Sequence, residues 1–280
     1  MSEIANSPST EQIYKLHTGD NIISQIARVI IVLMPRAVSV AGFSERGDLL
    51  MIKNNEYKRT LPPWIIDFFE HQFLNEQMLS APHKVTSVFV ATDKTLVVPE
   101  LLYKPHDSEA WLRKLHFIEA NEVITTHHLR EDKAYYLYSW PSAIKSLINR
   151  YFTKTKILPF ATYQFYKPFK AECSMQISLT TDRAFATLYK NRELYWHQVF
   201  PFKSSEDIVY QMKLTAKQFD INDMTMAMQC TVANKALASI VTEMLQFFPN
   251  LKDGTGTVVT NDRSWVSNIY LIQQLYACGL

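Results

Sequence analysis

Glu172-Cys173-Ser174-Met175-Gln176-Ile177-Ser178-Leu179 opens the stretch that decides the fold, and residues 172–231 complete it. Cys173, Met175, Ile177 and Leu179 alternate with polar neighbours. That period of two belongs to a half-buried strand. Thr181-Asp182-Arg183 turns the chain into a second strand over 184–189. Lys190-Asn191-Arg192 turns it again into a third over 194–200. Turns this short join antiparallel neighbours. Ser204 then opens a helix, with Asp207 placed as its capping-box partner. Ile208, Met212, Thr215, Ala216 and Phe219 share one face of it. Met224, Met226, Met228 and Cys230 form one face of a fourth strand.

Working outward, the earlier chain repeats this order. Strands are expected over 28–34, 37–43 and 49–53, the last two joined by the hairpin loop Ser44-Glu45-Arg46-Gly47-Asp48. A helix follows Pro62-Pro63 over 64–77. A compact apolar strand covers 85–91. No residue identity links the two copies, so the repeat lies in element order alone. Three antiparallel strands, a helix and a parallel strand begin a ribonuclease-H-like unit. After the first unit come strands over 95–99, 123–129 and 134–139, and helices over 108–118 and 142–152. After the second come a helix over 235–248, a strand over 257–260 and a last helix over 268–278. The expected architecture is α/β with mixed sheets: two tandem βββαβ lobes. The first spans 1–165 and includes a loose tail over 1–12; the second spans 166–280 and includes the C-terminal helix.

Composition sets limits on function. At 47% apolar and 20% charged, the chain reads as soluble and globular. A net charge of +2 is too small to attract a polyanion in bulk. The longest apolar run, Val29 to Met34, falls far short of the ~20 residues that span a bilayer. The N-terminus shows no basic segment leading into an apolar one, so no secretory signal is expected. Cys173, Cys230 and Cys278 are odd in number and widely spaced, as expected of reduced thiols in a cytoplasmic protein. Only six glycines are present, and loops that wrap phosphate in backbone amides depend on glycine.

Three stretches carry a resemblance. They are Lys94-Thr95-Leu96-Val97-Val98-Pro99-Glu100-Leu101-Leu102, Leu194-Tyr195-Trp196-His197-Gln198-Val199-Phe200-Pro201-Phe202 running into Ser205–Tyr210, and Tyr276-Ala277-Cys278-Gly279-Leu280. Through them the chain resembles a DUF3822-like bacterial family of unknown function with an actin-like ATPase fold. The resemblance implies two ribonuclease-H-like lobes and supplies no catalytic residues. Actin-like ATPases hold ATP between the lobes with an Asp-x-Gly turn in each and a glycine-rich turn after the fourth strand of the second. Here those places read Leu33-Met34-Pro35-Arg36, Thr180-Thr181-Asp182-Arg183 and Gln229-Cys230-Thr231-Val232-Ala233, with no glycine. Side chains there obstruct close approach of a triphosphate. The resemblance therefore implies a degenerate site, with no catalytic residue and no cofactor.

Other motifs are weaker. Asp253-Gly254-Thr255-Gly256-Thr257 looks like a phosphate turn but reads as a surface loop entering a strand. His127-His128, with His116 and Glu122, lacks metal-ligand spacing, because adjacent strand residues face opposite ways; no metal site is expected. No nucleophile elbow is present. Glu206-Asp207 suits the first turn of a helix. Residues 149–170 interleave Arg150, Lys154, Lys156, Lys167 and Lys170 with seven aromatics, a candidate partner surface. The plainer reading makes the aromatics core. Three functions stay open: a non-catalytic scaffold with an unidentified protein partner, an unorthodox ATPase or kinase using Asp182, and a disfavoured nucleic-acid factor using 149–170.

Overall fold

In a computed structural model the described residues are 9–16, 21–57, 64–166, 171–253, 258, 260 and 262–280. The chain begins with β1 (Ser9–Lys15), α1 (Ile22–Gln25), β2 (Arg28–Met34), β3 (Ala37–Phe43), β4 (Leu49–Tyr57), α2 (Ile66–Asn75) and β5 (Val85–Val90). It continues with β6 (Thr95–Pro99), α3 (Ser108–Arg113), β7 (Glu122–Leu129), β8 (Ala134–Pro141), α4 (Ser142–Tyr151), β9 (Lys156–Pro159) and α5 (Thr162–Tyr166). The second half holds β10 (Cys173–Leu179), β11 (Arg183–Lys190), β12 (Glu193–Pro201), α6 (Ser205–Gln218), β13 (Ala227–Val232), α7 (Ala238–Met244), β14 (Leu251–Lys252) and α8 (Val266–Gly279).

Two sheets share one topology. The first runs β1-β4-β3-β2-β5-β9 and the second β12-β11-β10-β13-β14. Leaving out β1, each places its third, second, first, fourth and fifth strands side by side. In both, the first three are antiparallel and the fourth and fifth parallel. Val29 to Leu33 of β2 are all within 1% of full burial, as a central strand covered on both faces requires. In α2 the face Phe68, Phe69 and Phe73 is buried. Ser204 and Asp207 form the expected capping box at α6. At the β3–β4 hairpin Gly47 takes φ +88°, open to glycine at little cost.

A third sheet, β6-β8-β7, interrupts the first lobe between β5 and α4. It has its own small core of Val98, Leu112, Ile118 and Leu137. The helix α8 follows the second lobe in sequence but buries Ile269, Ile272, Leu275 and Tyr276 in the first lobe's core. Tyr276 stacks on Phe43 at 3.8 Å and accepts a 2.9 Å bond from Arg28. Asn268 of α8 donates to the Val232 carbonyl, so the helix ties both sheets together.

Several expectations change. Residues 9–15 form an edge strand held by its ladder to β4 and by Glu11–Lys53, with few apolar residues to announce it. Strand β4 extends past Lys53 to Tyr57. The fourth strand of the second lobe begins at Ala227, because Asn222 caps a turn that leaves Met224 half exposed. A 3-10 turn precedes α7, and the fifth strand of that lobe is β14. Thr257 and Val259 of the expected strand 257–260 lie outside the described residues, as does the Gly254–Thr257 turn.

Candidate functional site

The two lobes meet along a seam of strand turns. The β10–β11 turn is closed by Thr180 N–H donating to the Arg183 carbonyl at 2.9 Å. Arg183 then reaches out of its lobe. Its Nε donates to Asp93 at 3.0 Å, in the loop after β5, while its Nη1 sits 3.1 Å from the Asp182 carboxylate. After β13, the Ala233 amide bonds the Leu179 carbonyl, and Asn234 donates to Glu56 of the first lobe at 3.2 Å. In the first lobe's own turn, the Arg36 carbonyl accepts from Tyr57. These are the places where actin-like ATPases hold phosphate. Here, the turns after β10 and β13 carry an ion pair and a side-chain bond that cross between the lobes, and the turn after β2 is held by a backbone bond within its own lobe.

Below the turns, α5 inserts a buried polar hub. The Tyr163 hydroxyl bonds Ser178 and, at 2.7 Å, Thr231. The Gln164 amide donates to the Ser178 hydroxyl at 2.8 Å and to the Phe185 carbonyl at 3.0 Å. Thr187 donates its hydroxyl to Gln164 Oε1 at 2.9 Å. That donation leaves Thr187 as acceptor for His197 Nδ1, 2.8 Å away, so His197 carries its proton on Nδ1. His197 Nε2 then accepts from the Tyr136 hydroxyl at 3.4 Å. Burial lowers the imidazole pKa to about 3, which keeps it neutral.

Beside the seam lies an open cleft of about 880 Å³. Its walls are β6 and β12, closed at one end by the β7–β8 turn. Leu96, Val97, Leu194, Trp196 and Val199 give it an apolar lining. Asp132, at that end, accepts from Tyr189 at 3.2 Å. Burial raises its carboxyl to about 6 and, with Asp132 beside it, pushes the Tyr189 phenol upward. Two of the stretches that carry the family resemblance, 94–102 and 194–202, supply the two walls. No motif search finds this cleft, because its walls are a hundred residues apart in sequence.

The residues singled out from sequence fall elsewhere. The Asp182 carboxylate is paired with Arg183. Arg150 donates to Glu70 at 3.2 Å, and Lys156 to the Leu280 carbonyl at 2.7 Å. Lys154 is exposed. Lys167 and Lys170 lie outside the described residues. Phe152, Phe160, Tyr163 and Phe165 are buried, with Tyr151 bonded to Glu70. His116 bonds the Thr95 carbonyl and Glu122 bonds Lys94, away from His127 and His128. Among the described residues no three metal-ligating side chains cluster. Cys230 is buried and its thiol pKa is raised, the opposite of an activated nucleophile. No described helix is long and apolar enough to cross a membrane.

Comparison with known proteins places the fold. A crystal structure of a protein with actin-like ATPase fold and unknown function from Bacteroides thetaiotaomicron superposes with a TM-score of 0.74 at 15% identity, covering 94% of this chain and 100% of that one. The PilM-PilN type IV pilus biogenesis complex matches with a TM-score of 0.57 at 8% identity, covering 91% of this chain and 99% of that one. No curated protein matches the sequence. The family model described as "Protein of unknown function (DUF3822)" matches residues 20–251. The chain belongs to that family, and its fold is the actin-like ATPase fold.

Proposed function

We propose that this chain is a non-catalytic interaction protein: an actin-like fold that has lost nucleotide chemistry and works through a partner surface. The carrying observation is Arg183, held between Asp93 and Asp182 where a nucleotide of this fold places its phosphates. A triphosphate there would meet two carboxylates and would have to displace the guanidinium's ion pairs. The lack of glycine at all three turns supports the same reading. PilM, a protein of this fold, is found in complex with PilN, which supports a partner-binding role by analogy alone. None of the three cysteines is in a disulfide, which suits a reducing compartment and supports a cytoplasmic site of action. In this reading residues 1–165 and 166–280 are the two lobes.

Calorimetric titration of the full chain with ATP and Mg²⁺ tests this. The expected result is no saturable heat at millimolar nucleotide. Micromolar binding would overturn the reading and make Asp182→Asn the first variant of an unorthodox ATPase site.

A further inference from the structure

Both strands that wall the open cleft are edge strands of their sheets. Edge strands carry backbone donors and acceptors with no ladder partner, and proteins usually blunt them with short length, charge or proline. The edge strand β1 follows that rule: it is polar and its Glu11 pairs with Lys53. The β12 edge is blunted only at its ends, by Glu193 and Pro201. It is nine residues long, and Leu194, Trp196 and Val199 line the cleft beside it.

The ladder shows which backbone groups face outward. Phe202 N–H donates to the Asp182 carbonyl, in register with the pairs Ala184–Phe200 and Ala186–Gln198. Antiparallel bonding alternates, so His197 and Val199 direct their N–H and C=O away from β11. Across the cleft, Ser139 donates to Lys94 and Glu100 to Lys133, which turns Val97 of β6 outward in the same way. No ladder joins β6 to β12 among the described residues. Pro201 and Pro99 close the two edges.

Charge narrows the occupant. Asp93, Glu131, Asp132 and Glu193 line the cleft with Lys133 and Arg192, and Asp93 is paired with Arg183. The site is acidic in a chain of net charge +2. Beside it the segment between α3 and β7 exposes large apolar side chains, Leu115 at 64%, which lines the cleft, and Phe117 at 82%. An exposed apolar patch with a polar rim marks a binding surface.

We infer that this cleft binds an extended segment of a partner protein by strand addition to β12, with apolar side chains at alternate positions and lysine or arginine between them. An extended backbone satisfies the His197 and Val199 edge groups as a helix cannot. Its alternating side chains would place one row on the apolar lining about Val97 and Val199 and the other toward Glu131 and Glu193. This rests on the interaction-protein reading and names its surface.

The test uses the full chain and three capped hexapeptide probes: alternating valine and lysine, the same with glutamate for lysine, and the valine–lysine peptide with alternate backbone nitrogens methylated. Fluorescence anisotropy should show saturable micromolar binding of the first. The glutamate peptide should bind at least roughly tenfold more weakly, and the methylated peptide not at all. Glu131→Lys with Glu193→Lys, both exposed, should weaken the lysine peptide about five- to tenfold without moving Tm. Bound peptide should slow amide exchange at His197 and Val199. Absent binding, equal binding of the methylated or glutamate peptide, or unchanged exchange at those two amides would each overturn the inference. The two failures are distinguishable: absent peptide binding removes this groove and leaves the non-catalytic reading standing, whereas nucleotide binding removes that reading whatever the peptide does.

Discussion

The same two lobes touch in two ways. Along the seam of strand turns they are locked by directional polar bonds: Arg183 to Asp93, Asn234 to Glu56, and the Tyr163–Gln164 hub to the second sheet. Beside it, where β6 approaches β12, they leave an open cleft between two edge strands, with apolar walls and acidic residues among its lining. In actin-like ATPases the turns belong to the ligand. Here bonds within and between the lobes hold those turns, and the open cleft lies beside them. A shared architecture thus fixes where the lobes meet without fixing which part of the meeting is open.

Breaking the locked side should cost most. Gln164→Ala removes donors to Ser178 and the Phe185 carbonyl and the acceptor for Thr187, all in buried surroundings. Stranded buried partners make such a change expensive, about 3 kcal/mol. Urea denaturation should show that loss, while Leu115→Ala on the open cleft should change stability by less than about 0.5 kcal/mol. Equal effects would erase the distinction between the two regions.

Arg183→Ala should cost less. Its ion pairs are partly solvated, and such pairs contribute no more than about 1 kcal/mol. The informative readout is local: amide exchange across the β10–β11 turn should quicken while β12 stays unchanged. Quickening spread over the whole second sheet would mean that the pair holds the lobe and not the seam.

The smallest effect is a pH slope from the cleft. Asp132 titrates near 6 in the fold and at 3.8 in its ordinary state. A raised carboxyl pKa means the folded state prefers the protonated acid. Its stabilising contribution is full below 3.8 and is lost as pH rises through about 6. Asp132→Asn should remove that decline. Tm measured against pH for both proteins should diverge across this window and run parallel above it; parallel curves throughout would show Asp132 to be solvated.

The regular elements were largely legible, because burial writes itself as pattern. The apolar run of β2, the alternation in β10 and the Ser204–Asp207 box at α6 each follow from local rules. Strands β1, β9 and β14 were not, being polar or too short to show a period. The missing glycines pointed to the turns, but Asp182 alone could not reveal that Arg183 reaches Asp93 ninety residues away. Nor could Leu194 and Trp196 reveal a cleft. Their alternation describes a strand, and only the placement of the inserted sheet leaves that strand with an open edge.

Amide exchange of the full chain with Mg-ATP, and separately with the valine–lysine peptide, tests the central claim most directly. The account predicts that saturating peptide protects His197 and Val199, and that millimolar Mg-ATP leaves residues 92–94, 180–183 and 232–234 unchanged. Protection of those three turns by nucleotide would contradict it.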